Sequence, residues 1–161
     1  MRMTGFDAAA LTFARWCQAT PVAAAIRDSI WLFPFIEGVH LLALALLGGV
    51  VLAVDFGLLG IGLITAPADV AAAVRPWLAL ALAAILLSGA LLFASQAEGY
   101  VKNPVFQIKI AALAVAVVFT VAVKPRLLHR GGSGTSRRLI ACSSIGLWLI
   151  VGLAGRGIGF Y

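Results

Sequence analysis

Glu37 and His40 lie three residues apart inside the apolar run Trp31 to Phe56, WLFPFIEGVHLLALALLGGVVLAVDF. On a helix that spacing puts both side chains on one face. An ionisable pair at membrane depth is costly, so it marks a proton relay, an ion or ligand site, or a structural ion pair. An imidazole there is also a possible ligand for haem or a metal ion. Lys109 and Arg156 lie in two other apolar runs, and Asp55 and Arg75 offer a secondary ion pair.

These residues need long apolar helices to hold them. Of 161 residues, 63% are hydrophobic and 11% charged, and the mean hydropathy is +1.08. Soluble domains have about half their residues apolar and a quarter charged, so the class is membrane. Four runs have the roughly 20 residues needed to cross about 30 Å of hydrocarbon. The expected fold is all-α: a four-transmembrane-helix bundle, residues 31–161, with spans at about 33–56, 68–96, 104–123 and 139–160. Residues 1–30 form an N-terminal segment whose Phe6, Phe13 and Trp16 recur at helical spacing. It is too short and polar to span, so it reads as an amphipathic interfacial helix. Asp7 and Arg15 argue against a cleavable leader.

Helix ends are marked by chemistry. Thr20-Pro21 and Asn103-Pro104 each read as an N-cap followed by proline at the first helical position. Counting from Pro34, Glu37 falls in a first turn, where the helix dipole favours a carboxylate. Residues 57–69 are glycine-broken and are expected to skim the membrane surface, with Thr65 and Pro67 starting the next helix. Residues 98–104 read as a short loop, and 124–138 as a flexible, solvated one. That last loop carries Lys124, Arg126, Arg130, Arg137 and Arg138, which sets it on the cytoplasmic side and both termini in the periplasm of a bacterial inner membrane. The formal charge of +6 is explained by such loops, and no basic stripe interleaved with aromatics points to nucleic acid. Cys17 and Cys142 form no CxxC pair, so no disulfide framework or zinc site is indicated.

By helical rise, Glu37 and Arg156 each lie about 5–9 Å from the outer face, with Lys109 at similar depth and His40 slightly deeper. A buried polar cluster of Glu37, His40, Lys109 and Arg156 follows. One reading is an interhelical clamp in which Glu37 faces Arg156 and both charges are neutralised. The others are a pocket for a lipid or quinone head group, a proton- or ion-coupled site, and a haem b or metal site at His40. Glu37-x-x-His40 is half of a di-iron carboxylate pattern whose second half is missing. The only other histidine, His129, is expected near the opposite face. A haem would therefore take one axial ligand here, or a second from another copy or a partner subunit. No nucleophile–base spacing is present, and Ser88, Ser143 and Ser144 read as packing hydroxyls, so the expectation is a non-enzymatic subunit or ligand-binding protein.

The chain resembles a family of small, uncharacterised bacterial four-helix membrane proteins. The likeness rests on Trp31-x-Phe33-Pro34-x-x-Glu37-x-x-His40, on Asp55 with Leu58-Leu59-Gly60, on Tyr100-x-x-Asn103-Pro104-x-Phe106-x-x-Lys109, and on Trp148 with Gly155-Arg156-x-Ile158. It covers nearly all of residues 27–160 and implies no activity. More distantly, the chain is similar to the membrane domain of copper resistance protein D, which implies metal handling. Met1 and Met3 are its only methionines and no multi-histidine segment is present, so no residue here takes a copper role from that likeness.

Overall fold

A computed structural model describes residues 5–61, 67–129 and 133–160. The described residues are all-α. Two short helices, α1 (Gly5–Gln18) and α2 (Pro21–Asp28), precede the long α3 (Leu32–Leu59) and α4 (Pro67–Ser95). A short α5 (Ala97–Lys102) leads to α6 (Pro104–Val118), which continues through a π turn (Phe119–Val123) into α7 (Lys124–His129). The last helix is α8 (Gly134–Gly157), closed by a 3-10 turn at Ile158–Phe160. Four helical stretches are long and apolar enough to cross a membrane: Leu32–Leu59, Asp69–Ser95, Pro104–Leu128 and Gly134–Phe160.

The caps follow local chemistry. Thr20 Oγ1 accepts from the Ala23 N–H, and Asn103 Oδ1 accepts from Val105 and Phe106 at 2.9 and 3.3 Å, each just before a proline that opens the helix. Helix α3 stops at Gly60, whose φ of 74° is open to glycine at little cost; Ile61 N–H then reaches the Phe56 carbonyl at 2.9 Å. Two expected loops differ. Residues 97–102 are helical, and the expected loop at 124–138 is helical over 124–129 and again from Gly134. Of the stretch expected to skim the surface, residues 57–59 instead continue α3 and 67–69 belong to α4, while residues 62–66, with the Thr65 start, lie outside the described residues.

Helix α3 is central, packed along α4 on one side and α8 on the other, while α8 packs along α6. Ala43, Leu47 and Val51, spaced one turn apart on α3, meet Ala81 and Ile85 of α4 to form a dry core. Nearer the C-terminal end of α3, Val54 and Leu58 pack with Ala141 of α8 and with Val70, Ala71 and Val74 of α4. Helices α3 and α6 run in the same direction, so residues equally far along them sit at similar levels.

At the end where α3 begins, α1, α2 and α5 form a cap. Arg27 ties it down by donating to the carbonyls of Gln18 (3.0 Å) and Ser95 (3.2 Å), the last residues of α1 and α4. A guanidinium suits two helix C-termini, whose carbonyls are unpaired and carry partial negative charge. Gln18 Oε1 accepts the Glu98 N–H at 3.1 Å, and Glu98 pairs with Arg15 at 3.6 Å. Arg27→Ala is expected to leave the long helices intact, costing about 1 kcal/mol or less because these bonds are partly exposed. The segment between α1 and α3 should become more sensitive to limited proteolysis, which is the measurement that checks it.

Candidate functional site

Two polar groups occupy the interior at different levels. The first is built on His40, half-buried where α3 meets α4. Its Nδ1 lies 2.8 Å from Ser88 Oγ. Ser88 donates its single proton back to the Ala84 carbonyl at 2.5 Å, a common use of a serine hydroxyl in an apolar helix. Its oxygen must then accept from Nδ1–H, so a neutral His40 carries its lone pair on Nε2. The ring also lies within hydrogen-bonding range of the Ile85 carbonyl, and no side chain bonds Nε2 among the described residues. Gly89 makes room for the ring, since a Cβ there would lie 3.3 Å from His40 Cε1.

Lys109 of α6 reaches the same level, and the imidazole lies within electrostatic range of both Lys109 and Glu37. The Lys109 stem runs across α8 at Gly155, where a Cβ would lie 3.5 Å from Cε and 3.7 Å from Nζ. Gly155 thus admits the lysine stem. Lys109 has no ion-pair or hydrogen-bond partner among the described residues. Above it, Phe93, Tyr100 and Phe106 stack with ring centroids 5.2 to 6.4 Å apart. Tyr100 also lines a cavity of about 220 Å³ with Gln96, Gly99, Asn103 and Ile158. Burial, and after it the negative charge of Glu37, raise the Tyr100 phenol above its ordinary value, so it is a hydroxyl donor at neutral pH.

Glu37 and Arg156 are placed otherwise than expected. Both are exposed, and no ion pair joins them among the described residues. Arg156 lies over the Phe160 ring instead, 5.8 Å from its centroid. Helix α3 starts at Leu32, so Glu37 is in its second turn rather than its first. Charges so near helix ends reach water or head groups, which removes the cost that would force them together.

The second polar group was not foreseen as a unit. Asp55 is fully buried and pairs with Lys124, not with Arg75, which is exposed on α4. Lys124 lies at the same level as Asp55, 15 residues beyond Lys109, just as Asp55 lies 15 beyond His40. Lys124 Nζ also reaches Ser144 Oγ of α8 at 3.4 Å. The π turn explains how a residue expected in a loop enters the core. Pro125 has no N–H and its ring crowds the carbonyl four residues back; the ladder shifts register, and Lys124 N–H bonds the Phe119 carbonyl five residues back. One turn earlier, buried Thr120 accepts from Trp148 Nε1 at 3.0 Å. Lys124 is already paired with Asp55 and Ser144 is fully buried, so the trio offers no accessible nucleophile. Ser88, Thr120, Lys124 and Ser144 had no spacing that set them apart from packing or loop residues. Among the described residues, no three His, Cys, Asp or Glu side chains cluster as a metal site.

An all-α chain with four such helices is a multi-pass membrane protein. It belongs to the family of unknown function DUF6644, which matches residues 28–161. No match was found among curated proteins or solved structures.

Proposed function

We propose that the protein is a non-enzymatic ligand-binding subunit of a bacterial inner membrane, whose first polar group receives the head group of a lipophilic ligand. In this reading the 124–138 segment faces the cytoplasm, the termini face the periplasm, and α1 lies in the outer interface. The observation that carries it is the pair of unused groups at one level. His40 Nε2 offers a lone pair held in place by Ser88, and Lys109 offers an ammonium without a partner. Together they suit a head that gives an acidic O–H to the imidazole and an oxygen to the lysine, with Tyr100 as a further donor. A quinol and a phosphate monoester lipid both have this chemistry.

Calorimetric titration of the detergent-solubilised protein with a short-chain quinol and, separately, with a short-chain phosphatidic acid tests the reading and separates the two sources. Saturable binding of one of them is expected, weakened about tenfold or more by His40→Ala and by Lys109→Met, the scale of one charge-assisted hydrogen bond. Binding of neither, or equal binding by the variants, would end it. A haem or metal ion on His40 Nε2 is the second reading. The Nδ1–Ser88 bond favours it, because ligating imidazoles commonly give their other N–H to an acceptor that fixes the ring. Its signature is a Soret or metal absorption lost in His40→Ala; the second haem ligand would come from another copy or a partner subunit.

A further inference from the structure

The Asp55 group leaves one atom unused. Oδ1 accepts from Lys124, but Oδ2 is buried and has no donor. A carboxylate oxygen without a donor is costly where no water can reach it. A proton on Oδ2 would remove that deficit. Ser144 Oγ, 3.4 Å from Lys124 Nζ and beside the same carboxyl, is a hydroxyl that can turn to accept from the new O–H. Among the described residues, no other charge faces this point. Helix α4 presents Val70, Ala71 and Val74, α8 presents Ala141 and Ser144, and α7 presents Leu128. Arg75 and Arg126 are exposed.

Lys124 can also leave. It sits at the end of the π turn, at the edge of the span, and its four-carbon stem can reach either the core or the head-group layer. We propose that Asp55 is a proton-binding site, filled from the α7 side, whose counter-ion Lys124 is released toward that surface when the proton arrives. One O–H bond forms at Oδ2 as one breaks in hydronium, which leaves as water; no bond in the protein breaks, and the lysine moves with its proton. With Lys124 in place the filled site would hold a buried, uncompensated ammonium, so its departure keeps the interior neutral.

Trp148 is a built-in reporter, since it bonds Thr120 one turn before Lys124 and lies one turn along α8 from Ser144. Trp16, Trp31 and Trp77 are exposed and can be replaced by phenylalanine. The full chain in nanodiscs, with Trp148 as sole tryptophan, should show a one-proton emission change as pH falls. A protonated carboxyl stretch should grow in the infrared spectrum with the same midpoint. Asp55→Asn should abolish the emission change and the part of the carboxyl band that shares its midpoint. If Asp55→Asn does not fold, the double variant Asp55→Asn/Lys124→Met, which removes both charges, serves the same comparison. No carboxyl band that disappears in Asp55→Asn over the pH range in which the protein stays folded, or a Trp148 transition that persists without Asp55, would overturn the proposal.

Discussion

Lys124→Leu is expected to destabilise the folded protein by about 3–5 kcal/mol, because it strands a fully buried carboxylate. The pair itself is a different matter. Removing both charges in Asp55→Leu/Lys124→Leu leaves nothing unpaired, so the double variant should recover much of the loss. Arg156→Leu, by contrast, touches an exposed guanidinium over one ring and should fall within about 0.5 kcal/mol of the parent. Reversible unfolding in mixed detergent measures all three. If Arg156→Leu were the most damaging, the charge that matters to the fold would be at the other end of the molecule.

Gly89→Leu is expected to weaken head-group binding at least about tenfold, the effect expected of His40→Ala, although Gly89 itself contacts no ligand in this reading. Its first added carbon would meet His40 Cε1 at 3.3 Å, and the rest of the side chain would push the ring away from Ser88. The 2.8 Å bond to Nδ1 would be lost, and with it the fixed direction of Nε2. Gly89→Ala asks the ring to shift by only a few tenths of an ångström and should cost far less. Gly48→Ala, where an added Cβ meets nothing within 4 Å, is the control. The same quinol and phosphatidic acid titrations read the outcome.

How much of this could be read from the chain depends on the kind of signal. Hydropathy over some 20 residues is a strong one, and the four long helices follow from it. The Asn103-Pro104 and Thr20-Pro21 starts were also legible, because a cap and a proline act locally. Helix α5 was hidden because Glu98, Gly99 and Asn103 look like a turn, and its helicity depends on the cap helices packed around it. Lys124 was counted among loop charges for a similar reason: Pro125 reads as a helix end, yet here it bends the ladder into a π turn and carries the lysine inward. Ser88 looked like any hydroxyl in an apolar helix until its two bonds were seen. The Glu37–Arg156 clamp was argued from the cost of burial, and that argument does not apply to side chains that are not buried.

The dry core between the two polar groups has an electrical consequence. Fifteen residues separate His40 from Asp55, about 22 Å along the helix axis, and the space between is filled by Ala43, Leu47, Val51, Ala81 and Ile85. Such a layer is an insulator, and most of the transmembrane voltage would fall across it. A unit charge carried from one level to the other would gain or lose close to the full value, about 2.3 kcal/mol per 100 mV. Leu47, fully buried midway along that layer, is part of the insulation.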